Sequence, residues 1–421
     1  KAITGLSPNT SYTIKVRARK ESNQVYGTSG GSSVKTLGNA VLNSVSTLTA
    51  DAATVTLSFN WTVYSTGFTY TLDIKKGSTV ITTITIPAQS STGKVNKTIT
   101  LTSAQKTAIL SAMSSVKTFT GTFSLTTKSG STTIGSVSNK TATVQTTATN
   151  SAPTFSNSAG FTYKDSKSST VAITGNNQIM IQGYSTLAVT AYEANAKNGA
   201  SITQYQATIN EAVISSSGTT LNCGTISKSG NLILKVTAVD SRGYSVSVSK
   251  TITVAAYTKV DITNVVMRRV NEVEAVTQVE LSATLSKILV SNVNKNAFRY
   301  LYYRYKKTSD ASYNSYTSIP SASLTVTDTS VKFKNNEFIS LDPDYSYHVQ
   351  FYLLDKLTSE VSKTNRNSSP IPIASRVVRM SASAEDISMF VFAPITPALF
   401  VTICCATSNT AIVMSKVCVT R

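Results

Sequence analysis

Hydrolytic chemistry usually depends on histidine or on paired carboxylates, and the chain has one histidine, His348, among 421 residues. It alternates with Tyr347 and Val349 in "YSYHVQFY", which predicts a strand that carries the imidazole on its solvent face. A Ser-His-Asp triad would have to use this side chain, and the sequence has no Gly-x-Ser-x-Gly elbow to supply the serine. The sequence therefore predicts no serine hydrolase.

Two pairs of carboxylates are spaced closely enough to be considered as the acid and base of a glycosidase. Asp342 and Asp344 lie in "LDPDYSY", where aspartate favours turn geometry on its own account. Glu272 and Glu274 lie two apart in "RRVNEVEAV", where like charges on a solvated strand edge discourage pairing with another strand. A structural role is the preferred interpretation of both pairs, and we expect the chain not to be an enzyme.

Metal ligands are equally scarce in the sequence. One histidine and no Cys-x-x-Cys pair argue against the common zinc sites, and no loop of alternating Asp and Asn with a closing Glu suits calcium. Cys223 stands alone, and Cys404, Cys405 and Cys418 lie near the end of the chain, which is too few for a disulfide framework. We expect no metal, no cofactor and a fold that depends on hydrophobic burial.

One stretch, "FRYLYYRYKK", suggests binding. As a strand it places Phe298, Tyr300, Tyr302 and Arg304 on one face and Arg299, Leu301, Tyr303 and Tyr305 on the other. One face must pack in a core, and the other would display tyrosines beside an arginine, a combination that holds sugars, bases or acidic polymers. Tyrosine on an exposed strand face is also ordinary, so a structural role stays open. The candidate surface-binding residues are Tyr300, Tyr302, Tyr303, Tyr305, Arg299 and Arg304.

The formal net charge is +19, and the lysines and arginines are scattered singly. Diffuse positive charge attracts polyanions without choosing among them, so a phosphate-rich cell-wall polymer is one interpretation and an ordinary solvated surface is the other. Because no long basic run or basic helix is present, we expect no nucleic-acid partner.

Alternating strands dominate the elements that would position these residues. Apolar side chains recur at every second position of "VTLSFNWTV" and "FTYTLDIKK", namely Val55, Leu57, Phe59, Trp61 and Val63, then Phe68, Tyr70, Leu72 and Ile74. This period indicates half-buried antiparallel strands. One helix is predicted over residues 103–114, because Thr102 and Gln105 have the spacing of a capping box. The sequence therefore predicts an all-β fold of tandem β-sandwiches with one short helix.

The stretch "LSPNTSYTIKV" near the start has the pattern of a tyrosine corner, in which a tyrosine bonds the backbone a few residues upstream. Leu6 is predicted to fill the core, Tyr12 to bond the backbone near Leu6, and Val16 to face inward. "LDPDYSYHVQF" repeats the spacing at Leu341 and Tyr347. Two such patterns indicate two domains of the same kind.

Turn and linker signals divide the chain. The polar, proline-bearing stretch 146–158 is predicted to be a linker, and Asp240-Ser241-Arg242-Gly243 to be the turn of a hairpin. The predicted parts are the C-terminal part of a fibronectin type III-like domain (1–38), two immunoglobulin-like β-sandwiches (39–148 and 149–257), a fibronectin type III-like β-sandwich (258–374) and an atypical apolar tail (375–421).

The tail differs from the rest because no charged residue occurs between Asp386 and Lys416. Two interpretations are open: a segment that is not native to the pattern, and a membrane span. Pro394 and Pro397 interrupt the apolar stretch and argue against the span. We therefore expect no membrane association.

The order of these parts resembles a siphovirus minor structural protein of the phage tail, built of fibronectin type III-like and immunoglobulin-like modules. The residues that carry the resemblance are Leu6-Pro8-Tyr12, Leu341-Pro343-Tyr347, "VTAVDSRGYSVSVSKTITV" and "LTSAQKTAIL". The resemblance implies a virion location, other tail proteins as partners, assembly under the symmetry of the tail, and contact with host cell-wall glycan or teichoic acid. Two alternatives remain: a bacterial surface adhesin or stalk, and an accessory β-sandwich region of a secreted polysaccharide-active enzyme.

Overall fold

The computed structural model describes residues 3, 5–7, 9–16, 30–270, 274–359 and, for the backbone alone, 376–380. The chain forms two compact units. Unit 1 contains Lys1–Thr162, Thr190–Leu221 and Lys235–Ser249. Unit 2 contains Tyr163–Val189, Asn222–Leu234 and Lys250–Arg421.

The described elements are almost all strands, which confirms the predicted all-β class. The first ten strands are β1 (Ser11–Lys15), β2 (Gly31–Lys35), β3 (Val41–Val45), β4 (Leu48–Thr49), β5 (Thr56–Val63), β6 (Thr69–Lys76), β7 (Thr79–Ile86), β8 (Gly93–Thr100), β9 (Thr118–Ser129) and β10 (Thr132–Gln145). The next ten are β11 (Thr154–Phe155), β12 (Phe161–Asp165), β13 (Ile179–Ile181), β14 (Thr186–Ala191), β15 (Ala194–Asn195), β16 (Ile202–Ile209), β17 (Ala212–Ser216), β18 (Thr220–Thr225), β19 (Gly230–Asp240) and β20 (Ser245–Ala255).

The last ten strands belong to unit 2. They are β21 (Asp261–Arg269), β22 (Thr277–Thr284), β23 (Leu289–Val290), β24 (Val293–Asn294), β25 (Phe298–Lys307), β26 (Thr317–Ile319), β27 (Leu324–Val326), β28 (Ser330–Asn335), β29 (Tyr347–Asp355) and β30 (Arg376–Met380). The helices of the described residues include α1 (Ser103–Ala112), α2 (Ala148–Ser151), α3 (Ser168–Thr174) and a 3₁₀ turn at Ser321–Ser323, and residues 356–359 are also helical.

The first sandwich of unit 1 packs the sheet β3-β5-β8 against the sheet β4-β10-β9-β6-β7. Each apolar residue predicted to face inward on β5 and β6 is buried, and the rings of Trp61 and Tyr70 meet at 4.6 Å near the middle of the core. The burial follows from the two-residue period, which places alternate side chains between the sheets. The prediction from alternation is confirmed.

Helix α1 begins at the predicted capping box. The Gln105 amide donates to the Thr102 hydroxyl at 3.3 Å, and the Thr102 amide donates to the Gln105 side chain at 2.9 Å. The helix ends at Ala112, and the buried side chains Ile109, Leu110 and Met113 join the sandwich core.

The carbonyls at the end of α1 are bonded by Arg242, which lies in the turn between β19 and β20 and is 5% exposed. Its Nε donates to the Met113 carbonyl at 2.8 Å, and its Nη2 lies 3.5 Å from the Leu110 carbonyl. Its remaining donors reach the carbonyls of Lys197 and Asn198. One guanidinium therefore joins three separate segments of unit 1.

The stretch 146–158, which the sequence predicted to be a polar linker, contains α2 and β11. Asp51 holds it, because one carboxylate oxygen accepts hydrogen bonds from the Thr147 amide, the Thr147 hydroxyl and the Ser151 hydroxyl. The Tyr244 hydroxyl donates to the Thr146 carbonyl at 2.8 Å. Polar residues that suggested a linker are thus the anchors of a fixed segment.

The first tyrosine corner has its predicted bond, because the Ser7 amide donates to the Tyr12 hydroxyl at 2.8 Å. This bond lowers the pKa of Tyr12. The predicted inward positions are wrong: Leu6 is 36% exposed and Val16 is 76% exposed. Among the described residues, β1 and β2 form a two-stranded sheet, and a ribbon of two strands cannot bury both of its faces.

The sandwich of unit 2 packs the sheet β21-β22-β28-β27 against the sheet β26-β25-β29-β30. Strand β30 pairs with Tyr347–Phe351 of β29, although the sequence analysis placed residues 376–380 in the tail. The pairing covers an edge of β29 that would otherwise present unpaired backbone groups. The rest of the predicted tail, with its apolar stretch, lies outside the described residues.

Tyr347 is 5% exposed and lies on the core side of β29. Burial raises its pKa, and a hydrogen bond from the Asp342 backbone opposes that increase. Asp342 precedes Tyr347 by five residues, as Ser7 precedes Tyr12. The predicted bond near Leu341 is therefore confirmed.

A buried carboxylate, Asp355, organises the other end of this sandwich. It accepts hydrogen bonds from the Tyr257 hydroxyl and the Asn296 side chain, each at 2.8 Å, and from the Thr358 hydroxyl at 2.7 Å. Burial, reinforced by the Asp355 charge, raises the pKa of Tyr257 strongly, so the phenol remains a donor. The network fixes Tyr257 to β29 inside unit 2.

Candidate functional site: a tyrosine and arginine sheet face

Strand β25 contains a β-bulge that changes the predicted faces. Its register with β29 shifts between Phe298, which pairs with Asp355, and Tyr300, which pairs with Leu354. The bulge adds one residue, so Phe298 packs against the core although it was predicted to share a face with Tyr300. Arg299 is exposed, and its guanidinium lies 5.3 Å from the Tyr300 ring centre.

Beyond the bulge the alternation is regular and decides which tyrosines belong to the core. Tyr303 packs on Phe338, with ring centres 4.7 Å apart, and Tyr305 lies 6.2 Å from Tyr347. Both rings lie against the sandwich interior beside Leu301. Tyr303 and Tyr305 are therefore removed from the candidate binding residues.

The opposite face of β25 carries Tyr300 and Tyr302, whose ring centres lie 5.6 Å apart. Tyr352 of β29 joins them because it is the cross-strand partner of Tyr302, at 6.3 Å between rings. Tyr316, just before β26, completes the group at 5.5 Å from Tyr352 and 6.2 Å from Tyr302. Four tyrosines thus form one contiguous aromatic surface.

Arg304 follows Tyr302 on the same face and is held in a fixed position. Its guanidinium lies over two rings, 4.6 Å from the centre of Tyr313 and 4.5 Å from that of Tyr316. Its Nε donates to the Gln350 side chain at 2.6 Å. The tyrosine face, as we use the term, comprises Tyr300, Tyr302, Arg304, Tyr313, Tyr316 and Tyr352.

A further cation borders the tyrosine face. The Lys306 ammonium lies 5.5 Å from the Tyr313 ring centre. Lys307 lies on the opposite side of β25, because it pairs with buried Tyr347, and its ammonium lies 3.3 Å from the ring centre of Tyr345. The carboxylate of Asp310 accepts from the Lys307 amide at 3.2 Å. The chemistry on offer is hydrogen-bond donation from guanidinium, ammonium and phenol groups. Burial raises the pKa of Tyr313, against a smaller lowering by Arg304, so this phenol stays protonated at neutral pH.

Half of the tyrosine face was absent from the sequence prediction. Tyr352 could have been found, because it alternates with buried Val349 and Phe351 by the same period that placed His348 outside. Tyr313 and Tyr316 lie in the connection "DASYNSYTS" after β25. Their rings contact the Arg304 guanidinium because the connection folds back over the sheet, and local sequence does not indicate such a tertiary contact.

The other candidates for chemistry do not assemble into a site. His348 is half-buried between buried Tyr347 and Val349, on the predicted outer face, opposite Lys306. Asp342 and Asp344 form the predicted turn, since the Asp344 amide donates to the Asp342 side chain at 3.1 Å. Glu274 is exposed, and Glu272 lies outside the described residues.

Neither a metal-binding cluster nor a membrane-spanning helix occurs among the described residues. No group of three or more His, Cys, Asp or Glu residues there could hold a metal ion. No helix in that part of the chain has the length and apolar character to cross a membrane. Burial raises the pKa of the half-buried Cys223 thiol to about 11, which makes it a poor nucleophile.

Comparison with family models gives one match to this chain. The family described as "Siphovirus protein of unknown function (DUF859)" matches residues 24–383. The matched range includes the whole tyrosine face. A search of curated proteins found no match.

Solved structures with similar arrangements of domains are only distantly alike. A tetra-tandem repeat from the extending region of a large adhesion protein is 14% identical, covering 83% of this chain and 79% of that one, with a TM-score of 0.30. Three N-terminal domains of the bacteriophage RB49 Hoc outer capsid protein are 12% identical, covering 70% and 86%, with a TM-score of 0.24. The fibronectin(III)-like modules of Clostridium thermocellum CbhA are 16% identical, covering 52% and 94%, with a TM-score of 0.21. At these scores the likenesses carry no argument about function.

Proposed function

The chain belongs to the siphovirus protein family whose model spans residues 24–383, and we propose that it is a structural protein of the virion that serves in the tail as a modular spacer or decoration. The observation that carries this proposal is the use of buried polar side chains. Arg242 and Asp355 are both buried, and both are bonded to groups that hold neighbouring segments together. Such residues serve the integrity of a scaffold.

Weak contact with the host cell wall is the second element of the proposal. The net charge of +19 supports attraction to anionic wall polymers, because a polyanion releases its counterions when it binds a basic surface. The tyrosine face supports a more specific contact on the sandwich of unit 2. Binding that is due to diffuse charge alone should fall steeply as salt rises, whereas ring contacts are not screened in this way.

The location is tested by labelling purified phage particles with antibodies raised against the full chain and viewing them by electron microscopy. We expect the label on the tail, with an antibody to a capsid protein as the control for labelling of the head. Label on the head, or absence of the chain from purified particles by mass spectrometry, would contradict the tail assignment.

A further inference from the structure

The host contact proposed above is the premise of a more specific inference about the tyrosine face. We propose that this face binds an anionic glycan in which sugars or polyols are joined through phosphate groups. The argument rests on the donors that Arg304 presents, on the spacing of the rings and on the surrounding charge.

Arg304 is placed to recognise phosphate. Its guanidinium packs over the rings of both Tyr313 and Tyr316, so little conformational freedom remains to be lost on binding. Among the described residues, Nε alone of its guanidinium nitrogens has a hydrogen-bond partner, Gln350. The two Nη groups are therefore available for the bidentate, charge-assisted bonds that guanidinium forms with phosphate oxygens.

Ring spacing favours a sugar or polyol over a nucleic-acid base. A base inserted between two rings needs about 7 Å between their centres, twice a contact distance of about 3.5 Å. The rings of Tyr300, Tyr302, Tyr316 and Tyr352 are 5.5 to 6.3 Å apart and leave no such slot. Guanidinium groups already lie over Tyr300, Tyr313 and Tyr316. Ring edges, phenol groups and N–H donors remain, and these suit hydroxyl-rich ligands.

Charge complementarity selects the anionic class of glycan. Arg299, Arg304 and Lys306 lie on or beside the face, with the Asp310 carboxylate near the end of the strand. A polymer with repeating phosphate groups would interact with this excess of positive charge along strand β25. Residues two apart on the strand, such as Tyr302 and Arg304, are about 7 Å apart, so a sugar and its neighbouring phosphate can engage both.

The test uses the full chain and sedimentable cell walls from a Gram-positive bacterium, before and after chemical removal of teichoic acid, at low and high salt. Arg304→Gln removes one positive charge from the face. Lys332→Gln removes one from an exposed position on β28, in the other sheet of the same sandwich, and is the matched control. Arg304→Lys keeps the charge and loses the bidentate geometry, and thermal melting of each variant checks folding.

We expect Arg304→Gln to weaken binding to intact walls about tenfold, the loss of one charge-assisted contact, and Arg304→Lys to weaken it nearly as much. Lys332→Gln should have less than a twofold effect, and removal of teichoic acid should abolish binding at high salt. Equal effects of Arg304→Gln and Lys332→Gln, or full binding to stripped walls, would overturn the proposal. Equally tight binding of single-stranded DNA with the same sensitivity to Arg304→Gln would identify a nucleic-acid site instead. None of these results bears on whether the chain is found on the tail.

Discussion

Arg242 offers the sharpest test of how unit 1 is held together. Replacing it with methionine keeps most of the side-chain length and removes every donor. Nε donates to the Met113 carbonyl at 2.8 Å, Nη1 donates to the Lys197 carbonyl at 2.9 Å, and Nη2 donates to the Asn198 carbonyl. Hydrogen bonds from a charged donor are worth about 1.5 to 3 kcal/mol each.

Part of that stabilisation is offset, because burying a guanidinium costs desolvation energy. Buried ions can often be replaced by apolar residues without loss when both partners are replaced together. Here the partners are backbone carbonyls that no substitution can remove. Arg242→Met takes the charged donor from each of them and leaves the carbonyls of Leu110, Met113 and Lys197 with one backbone N–H donor each. We therefore expect the free energy of unfolding of unit 1 to fall by about 2 to 4 kcal/mol.

The assay is denaturant unfolding of the full chain, followed by the fluorescence of Trp61, which is the only tryptophan and lies in the first core of unit 1. Hydrogen exchange at α1 provides a second readout, because the carbonyls at its C-terminal end lose the bonds from Arg242. Lys94→Met, which removes an exposed charge from β8, is the control and should change stability by less than about 0.5 kcal/mol. If Arg242→Met and the control variant unfold at the same denaturant concentration, the anchoring role of Arg242 is refuted.

Four further outcomes are expected. Tyr347→Phe should lower the free energy of unfolding of unit 2 by about 1 to 2 kcal/mol, because the hydrogen bond beside Asp342 is lost. Tyr345→Phe, at an exposed position, should not lower it, and equal melting temperatures of the two variants would contradict the assignment of a tyrosine corner. Incubation of the chain with peptidoglycan, teichoic acid and common glycans should release no product, and cleavage lost on changing Asp342 or Glu274 would show an enzyme. Changing Tyr300 and Tyr302 together to serine should abolish the part of wall binding that survives high salt and leave the melting temperature nearly unchanged; wall binding that resists salt in this variant would place the contact elsewhere. Because the pKa of Cys223 is raised to about 11, its alkylation at pH 8, followed on its own peptide by mass spectrometry, should be roughly a hundredfold slower than that of a free cysteine, and labelling at the free rate would contradict its burial.

Local patterns predicted the parts of this fold that depend on neighbours in sequence. The alternation around Trp61 placed every inward side chain of β5 correctly, because the two-residue period is a property of the strand itself. The capping box at Thr102 also needs only a three-residue spacing. Both predictions required no knowledge of what packs against the element.

Other features depended on contacts between distant residues. Arg242 bonds Met113 across 129 positions, and nothing in "DSRGY" indicates that its arginine is buried. The bulge at Arg299 is one inserted residue, invisible in a strand whose composition is aromatic on both faces. For the same reason the sequence could nominate Tyr300 and Tyr302 but could not separate them from Tyr303 and Tyr305.

The partners of the N–H donors of Arg242 and Arg304 distinguish a structural arginine from one that is suited to binding. Arg242 is 5% exposed, and its donors end on four backbone carbonyls, so a ligand could engage it only by displacing bonds that hold unit 1 together. Arg304 is held mainly by two tyrosine rings, whose centres lie 4.6 and 4.5 Å from its guanidinium carbon, with one N–H committed to Gln350. Ring stacking fixes a guanidinium without consuming its N–H groups, which point outward in the plane. Surface arginines restrained by aromatic rings are therefore better prepared to bind phosphate than arginines restrained by hydrogen bonds, and in this chain that criterion selects Arg304.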